Sequence, residues 1–255
     1  MNPALVCVSF GTSVPAARVN IEAVEAVCRE TAPGTDFCRA FTSPTIRRIL
    51  QRRGEEIDSL PEVLRRLEKA GYSDVIVQPT HFLYGTEYDR MRTDTDAYRP
   101  RFERLRLGRP LLASQDDLNA VAARMDEKYP QQPDTALVLF GHGTLHFANA
   151  TYPALQTVFQ MRGRSDIFVG TAEGWPTLAD IRNEVKNFRE IHLVPLMLVN
   201  GDHVQHDLAG DGPDSWKSVL ERDGHTVTCS ADGLGTDAAV LNLYRRHLEE
   251  LLYAG

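Results

Sequence analysis

The sequence predicts an α/β protein of two similar Rossmann-like lobes, each with a parallel sheet, that face a central cleft. Two observations lead to this fold class. Short apolar runs alternate with amphipathic helical patterns along the whole chain, as in βαβ units. The alternation then starts again near residue 131, with several short motifs in the same order. We therefore expect an N-terminal lobe at residues 1–130 and a C-terminal lobe at residues 131–255.

The first half contains four predicted strands, and amphipathic helices separate them. Pro61 suits the first turn of one helix and Gly71 its C-terminal end, while Ser114 suits the N-cap of the helix that closes this half. The strands are expected at residues 4–10, 37–41, 74–79 and, more weakly, 105–112. The helices are expected at residues 16–29, 44–53, 61–70, about 86–96 and 115–129.

The second half repeats this order, with strands expected at residues 136–140, 167–170, 191–200 and 225–228. Its helices are expected at about 148–161, from 177, at 215–222 and at 236–253. The run at 191–200 is apolar throughout, which is typical of a strand buried on both faces of a parallel sheet. It stops at Gly201, and Asp202 and His203 follow at once. Ligands of open α/β sheets bind beyond the carboxyl ends of strands, so this end is the first candidate for a functional edge.

Motifs shared by the two halves indicate an internal repeat. SFGTS matches LFGHGT, RAFTSPTI matches GTAEGWPTL, and VQPTHFLYGTEY matches VPLMLVNGDHV. This alignment pairs Gly11 with Gly143, Thr45 with Thr177 and Gly85 with Gly201, and it leaves residues 54–71 as an extra segment of the first half. A chance similarity between two ordinary βαβ units is the alternative.

Composition and charge narrow the class of protein. With 255 residues and 42% hydrophobic content, the chain can bury a sizeable core. A formal net charge of −7 disfavours a surface that binds nucleic acid or an anionic membrane. The sequence shows neither a signal-peptide pattern nor an apolar segment of membrane-spanning length, so we expect a cytoplasmic protein. The four cysteines lack CxxC spacing and are expected to be reduced, buried thiols.

Three candidate metal ligands follow predicted strands of the second half: His142, Glu173 and His203. The carboxyl ends of neighbouring parallel strands share one edge of a sheet, so these side chains can converge. Two imidazoles and a carboxylate suit a divalent ion such as cobalt, nickel, iron or zinc. Each residue also has a structural alternative, because a His between glycines can hydrogen-bond a turn and a Glu after a strand can cap the next helix.

Several of these motifs resemble a known family. GHGT at residues 141–144, GTAEG at 170–174 and PLMLVNGDHVQHDLAGDGPDSWKSVL at 195–220 are similar to the class II chelatases of the anaerobic cobalamin pathway, the sirohydrochlorin cobaltochelatases of CbiK type. SFGTS, RAFTSPTIRRIL and QPTHFLYGTEY also match, so the resemblance covers nearly the whole chain. It implies insertion of a divalent metal ion into sirohydrochlorin without ATP or an organic cofactor.

The resemblance also implies roles for individual residues. His142, Glu173 and His203 correspond to metal ligands, and Glu87 to an acidic residue that faces them from the other lobe. We assign His142, His203 and Glu87 to catalysis, as groups that accept the displaced pyrrole protons or position the substrate. Contacts with the substrate are expected at strand ends of the first half: Gly11, Thr12, Ser13, His81, Leu83 and Tyr84.

The resemblance favours Co²⁺, and Fe²⁺ or Ni²⁺ stay open because the same ligands bind all three ions. A two-lobed protein that binds metal or tetrapyrrole without turnover is the alternative from another class. Arg47 and Arg48 could meet substrate carboxylates or form a solvated basic face. Self-association into a homo-oligomer is also open.

Overall fold

Two four-stranded parallel sheets and the helices around them form the protein, which confirms the predicted α/β class. The computed structural model describes residues 3–199, 201, 204–230 and 232–253, with only the backbone of residues 204 and 205. The strands are β1 (Ala4–Ser9), β2 (Asp36–Phe41), β3 (Asp74–Pro79), β4 (Arg104–Leu107), β5 (Thr135–Gly141), β6 (Ile167–Thr171), β7 (Glu190–Pro195) and β8 (Thr226–Cys229).

The helices lie close to their predicted positions. They are α1 (Arg18–Thr31), α2 (Pro44–Arg52), α3 (Leu60–Lys69), α4 (Thr86–Tyr98), α5 (Gln115–Lys128), α6 (Thr151–Met161), α7 (Leu178–Val185), α8 (Trp216–Arg222) and α9 (Ala238–Tyr253). A single π-helical turn, Val204–Leu208, was not predicted. Serine side chains accept a first-turn backbone N–H at the starts of α2, α5 and α8, namely Ser43, Ser114 and Ser215. Such caps are typically worth about 1 kcal/mol each, which explains why these boundaries were predictable.

The two sheets have the same topology and register, so the internal repeat is present in the fold. Their strand orders are β2-β1-β3-β4 and β6-β5-β7-β8. Val8 pairs with Pro79 in the first sheet and Phe140 pairs with Pro195 in the second. Each third strand therefore ends at a proline at the same point of the ladder. The predicted strand at 191–200 was too long, since β7 ends at Pro195.

The extra segment of the first half is not the one that the sequence alignment indicated. The Phe41 N–H donates to the Asp58 carbonyl (3.0 Å), and the Thr171 N–H donates to the Pro176 carbonyl (2.7 Å). A capping box follows at once in both places, at the start of α3 and of α7. Hence α3 is the counterpart of α7. Residues 42–57, which include α2, stand where the second half has only residues 172–175, so α2 is the inserted element.

The chain divides into two compact units at boundaries that differ from the predicted one at residue 130. The first unit is residues 1–113 with 235–255, and the second is residues 114–234. The C-terminal helix α9 belongs to the first unit because it packs on α1 and because the buried Tyr244 hydroxyl donates to the Thr80 carbonyl (2.7 Å). Helix α5 belongs to the second unit, where Asp126 accepts from Arg164 (2.9 Å).

Each unit has its own hydrophobic core. In the first, side chains of β1 and β3 pack with those of α3 and α4, including Val6, Val77, Leu64 and Met91. In the second, side chains of β5 and β7 pack with those of α7 and α8, including Phe140, Leu193, Ile181 and Trp216. The ring of Trp216 meets that of Phe140 edge to face at 4.9 Å. Because alternate strand residues share a face, each of these cores covers one face of its sheet.

Two expectations from composition can be compared with the fold. None of the described helices combines the length and the apolar character needed to cross a membrane. The cysteines are unpaired, and Cys7 and Cys28 are buried. A hydrogen bond with Cys28 and burial both raise the pKa of the Cys7 thiol, which therefore stays protonated.

Candidate metal and substrate site

His142 lies in a tight turn directly after β5. Gly143 has a left-handed φ of +77°, and a Cβ there would come within 2.5 Å of the Gly174 nitrogen. The Gly143 N–H donates to the hydroxyl of Tyr152 (3.3 Å), and a Cβ at Gly141 would strike the Tyr152 ring at 2.3 Å. Close packing therefore requires glycine on both sides of His142. These contacts fix the position of the His142 backbone, from which the imidazole projects.

Glu173 is held beside His142 by an extension of the β5–β6 ladder. The Ala172 N–H donates to the Gly141 carbonyl (3.0 Å), and the Glu173 N–H donates to the His142 carbonyl (2.8 Å). His142 Nδ1 and Glu173 Oε2 are 3.8 Å apart, and the two side chains are 48% and 56% exposed. The two side chains are therefore neighbours at this edge, and an imidazole and a carboxylate are both common ligands of divalent ions.

The orientation of the His142 ring suits a metal ligand. Its Nδ1 lies 3.0 Å from the Gly143 carbonyl oxygen. When Nδ1 carries the proton it donates to that carbonyl, and the lone pair of Nε2 is then available to a metal ion. A backbone carbonyl or carboxylate on the other ring nitrogen is the usual arrangement of metal-binding histidines.

Asn149 joins the loop of His142 to the loop of Glu173. Its Oδ1 accepts from the Thr144 N–H (3.0 Å), and its Nδ2 donates to the Trp175 carbonyl (2.5 Å). A Cβ at Gly174 would lie 2.2 Å from Oδ1, so the loops can approach this closely only with glycine there. Burial raises the pKa of the nearby Tyr152 to about 12, which keeps its hydroxyl neutral beneath the turn.

His203, the third predicted ligand, lies outside the described residues, as does Asp202. Within the part of the chain that the structure describes, no three His, Cys, Asp or Glu side chains form a metal-binding group. The structure thus brings together two of the three predicted ligands, and His203 stays a prediction. Gly201, which precedes it, follows β7 in the same sheet as His142 and Glu173.

The predicted substrate contacts lie after β1 and β3 of the first unit. Gly11 has a φ of +98°, and a Cβ there would lie 2.6 Å from the Phe41 ring. The buried Thr12 hydroxyl accepts from the Val14 N–H (3.1 Å), and the Ser13 carbonyl accepts from Arg53 (2.6 Å).

The second group of predicted contacts comes after β3. Leu83 is buried, and the exposed Tyr84 packs edge to face on Tyr88 with ring centres 4.8 Å apart. His81 Nε2 lies 3.5 Å from the Thr42 hydroxyl, and among the described residues its buried Nδ1 has no hydrogen-bond partner. Burial lowers the pKa of His81 to about 4, so this imidazole is neutral at physiological pH.

Glu87 lies in the first turn of α4, where it accepts from Arg90 (2.7 Å). The position is favourable for a carboxylate because the helix dipole is positive there. The same turn carries Asp89, which is paired with Arg92 at 3.2 Å. A structural role for Glu87 is therefore present, and its catalytic role stays a prediction.

Residues 3–252 match the family model described as "Cobalt chelatase (CbiK)". The chain belongs to the CbiK family of cobalt chelatases. It is 36% identical to the sirohydrochlorin cobaltochelatase of Salmonella typhimurium strain LT2, with 99% of this chain and 97% of that one covered. It is also 36% identical to sirohydrochlorin cobaltochelatase CbiKC of Nitratidesulfovibrio vulgaris strain Hildenborough, over 77% of this chain and 71% of that one.

Two solved structures show the same fold at low sequence identity. The Bacillus subtilis SirB structure with Fe³⁺ superposes with a TM-score of 0.65 at 15% identity, covering 99% of this chain and 96% of that one. CbiX, described as the terminal enzyme of sirohaem biosynthesis in denitrifying bacteria, has a TM-score of 0.55 at 15% identity, with 96% and 98% covered. These likenesses support the α/β chelatase fold that the sequence predicted for this CbiK-family chain.

Other histidine and arginine side chains have structural roles in this CbiK-family chain. His146 caps a short 3₁₀ turn, since its Nδ1 accepts from the Ala148 N–H (3.1 Å). His192 pairs with the hydroxyls of Thr228 and Ser230, and Arg47 is engaged by Glu62 and the Ile57 carbonyl. Sequence reasoning missed Asn149 and Tyr152, because nothing in a local pattern shows that a polar side chain five or more residues later holds a loop in place.

Proposed function

We propose that this chain inserts Co²⁺ into sirohydrochlorin. Membership of the CbiK family and two relatives named sirohydrochlorin cobaltochelatase support this substrate and this metal. The single structural observation behind the proposal is the His142–Glu173 pair at the carboxyl edge of the second sheet. The metal ion is a substrate of this reaction, so its site should bind and release it readily.

In this proposal His142, Glu173 and His203 hold the incoming ion. An open site with protein ligands on one side suits transfer, because a closed tetrahedral site would retain the ion. Glu173 adds a negative charge that offsets part of the charge of the cation. His142 contributes Nε2 while the Gly143 carbonyl orients its ring.

Metallation exchanges two pyrrole N–H protons for one divalent ion, so the protein must provide proton acceptors. We assign this role to His142, His203 and Glu87. The macrocycle would contact the first unit at Gly11, Thr12, Ser13, His81, Leu83 and Tyr84. Because the His81 pKa is lowered to about 4, that imidazole would act as a neutral hydrogen-bonding group.

The test is an anaerobic absorbance assay with catalytic amounts of protein and excess sirohydrochlorin, run in parallel with Co²⁺, Fe²⁺ and Ni²⁺. Several turnovers with Co²⁺ are expected, with no ATP or organic cofactor added. Faster turnover with Fe²⁺ or Ni²⁺ would reassign the metal. At most one equivalent of product with every ion would instead make the chain a binding protein. The cytoplasmic location and any homo-oligomer stay predictions, and a sedimentation run on the same sample measures the second.

A further inference from the structure

Three large apolar side chains stand in solvent on the two loops that carry His142 and Glu173. Leu145 is 99% exposed, Phe147 is 89% exposed and Trp175 is 57% exposed. Water around large apolar surfaces is unfavourable, and clustered exposed side chains of this kind commonly mark binding sites. The mechanism proposed above uses none of these residues.

These side chains are presented by an ordered segment. The His146 N–H donates to the Thr144 hydroxyl (3.1 Å), and His146 Nδ1 accepts from the Ala148 N–H (3.1 Å). The Asn149 N–H then donates to the His146 carbonyl (2.9 Å). The loop therefore turns back on itself at both sides of Leu145 and Phe147, and their side chains project from a defined turn.

Trp175 belongs to the same surface through Asn149. Its carbonyl accepts from Asn149 Nδ2 at 2.5 Å, while Asn149 Oδ1 binds the Thr144 N–H. This hydrogen bond depends on the Trp175 backbone, so it persists when the Trp175 side chain is replaced. One asparagine thus brings both apolar loops together, and we call Leu145, Phe147 and Trp175 the apolar platform.

We propose that the apolar platform contacts the face of the flat macrocycle during metal insertion, an inference that rests on the proposed function. An ion held by His142 and Glu173 can enter the ring only if the centre of the ring lies over these two side chains. The ring extends several ångströms in every direction from its centre, so it covers residues of the same two loops. An indole and a phenyl ring also offer π faces on which a conjugated macrocycle stacks.

The test separates tetrapyrrole binding from metal binding. The probes are metal-free sirohydrochlorin, titrated by its absorbance change, and Co²⁺ alone, titrated by calorimetry. The double substitution Leu145→Ser/Phe147→Ser is expected to weaken sirohydrochlorin binding and raise KM by about 10-fold or more, because apolar contact is lost. Co²⁺ affinity in the absence of tetrapyrrole is expected to stay within about twofold of the parent.

Two controls sharpen the test. Met161→Ser removes a similarly exposed side chain (83%) from the C-terminal end of α6, away from these loops, and is expected to change neither constant. At the platform, Trp175→Phe keeps an aromatic face and is expected to bind sirohydrochlorin nearly as the parent does, whereas Trp175→Ser is not.

Unchanged sirohydrochlorin affinity and KM in the double variant would refute the proposed contact between the apolar platform and the macrocycle. If sedimentation also showed that the double variant had lost a dimer, the surface would instead join two copies of the chain. Affinity for sirohydrochlorin is read without turnover, so the two failures can be told apart. A wild-type protein that binds sirohydrochlorin but metallates nothing would refute the proposed function, and the double variant would still show whether the platform contacts the tetrapyrrole.

Discussion

The two units have the same backbone at their carboxyl edges but different side chains. In the second unit the Ala172 and Glu173 N–H groups donate to the Gly141 and His142 carbonyls, and in the first the Thr42 and Ser43 N–H groups donate to the Ser9 and Phe10 carbonyls. A glycine with positive φ follows in each case, Gly143 and Gly11. His142 therefore corresponds to Phe10, and Glu173 to Ser43.

This comparison shows that the same backbone hydrogen bonds carry different functional side chains in the two units. Where the second unit has an imidazole and a carboxylate, the first has a phenyl ring and a hydroxyl that caps α2. The first unit has no ligands at these two positions, and the inserted α2 begins directly after Ser43. The repeat fixes backbone positions, while the side chains at these positions determine whether a metal ion can bind.

The largest effect is expected when the second unit receives the residues of the first at these two positions, in the double variant His142→Phe/Glu173→Ser. We expect Co²⁺ insertion to fall by at least about 100-fold, beyond the loss of 10- to 100-fold typical of outer partners of a metal site. His203→Ala should have a comparable effect. Both replaced side chains are half-exposed, so the melting temperature should change little. Phe10→Leu is the matched control, and near-normal turnover in the double variant would remove the pair from the site.

Asn149→Asp tests the connection between the His142 and Glu173 loops of the second unit. Aspartate keeps an acceptor for the Thr144 N–H but cannot donate to the Trp175 carbonyl. We expect Co²⁺ affinity to fall by about 10- to 100-fold, because the ligands are no longer held in register. Asn183→Asp, on an exposed position of α7 in the same unit, is the control. Equal losses in both variants would show that added charge, rather than the connection, is responsible.

The lowered pKa of His81 in the first unit is expected to make the stability of the protein depend on pH. Burial lowers its pKa to about 4, whereas an unfolded histidine titrates near 6.5, so the unfolded state binds more protons between these values. Stability should therefore fall as pH drops from about 7 to 5, by about 2 kcal/mol from this residue. His81→Gln should remove that part of the slope in denaturant unfolding. His225→Gln, at a partly buried histidine, is the control, and an identical slope in the parent and in His81→Gln would refute the buried neutral imidazole.

Glu87→Gln is expected to have the smallest effect on stability and a selective effect on rate. The substitution removes a charge and a proton acceptor from the first turn of α4, which should cost only a few tenths to about 1 kcal/mol of unfolding free energy. We expect slower insertion with Co²⁺ affinity nearly unchanged. Asp89→Asn makes the same change two residues away in the same turn, where the carboxylate also pairs with an arginine. Equal turnover in the two variants would make Glu87 a helix-end residue.

Much of this protein could be predicted from local sequence. The start of α5 followed from the capping residue Ser114, and strand positions followed from apolar runs, since both signals act within a few residues. His142 and Glu173 were identifiable because glycines and strand ends mark them. Their pairing at 3.8 Å agrees with the expectation that parallel strand ends share an edge.

Other features required the tertiary structure. A helical pattern cannot show which sheet α9 covers, and it is packing on α1 and the bond from Tyr244 to Thr80 that place it in the first unit. Motif similarity aligned Thr45 with Thr177, yet the shared backbone hydrogen bonds align Ser59 with Thr177 and make α2 the insertion. Likewise, no periodicity distinguishes exposed Leu145 and Phe147 from core residues. Exposure, loop-to-loop hydrogen bonds and helix docking all depend on groups far apart in sequence, and local patterns contain no information about which distant groups will meet.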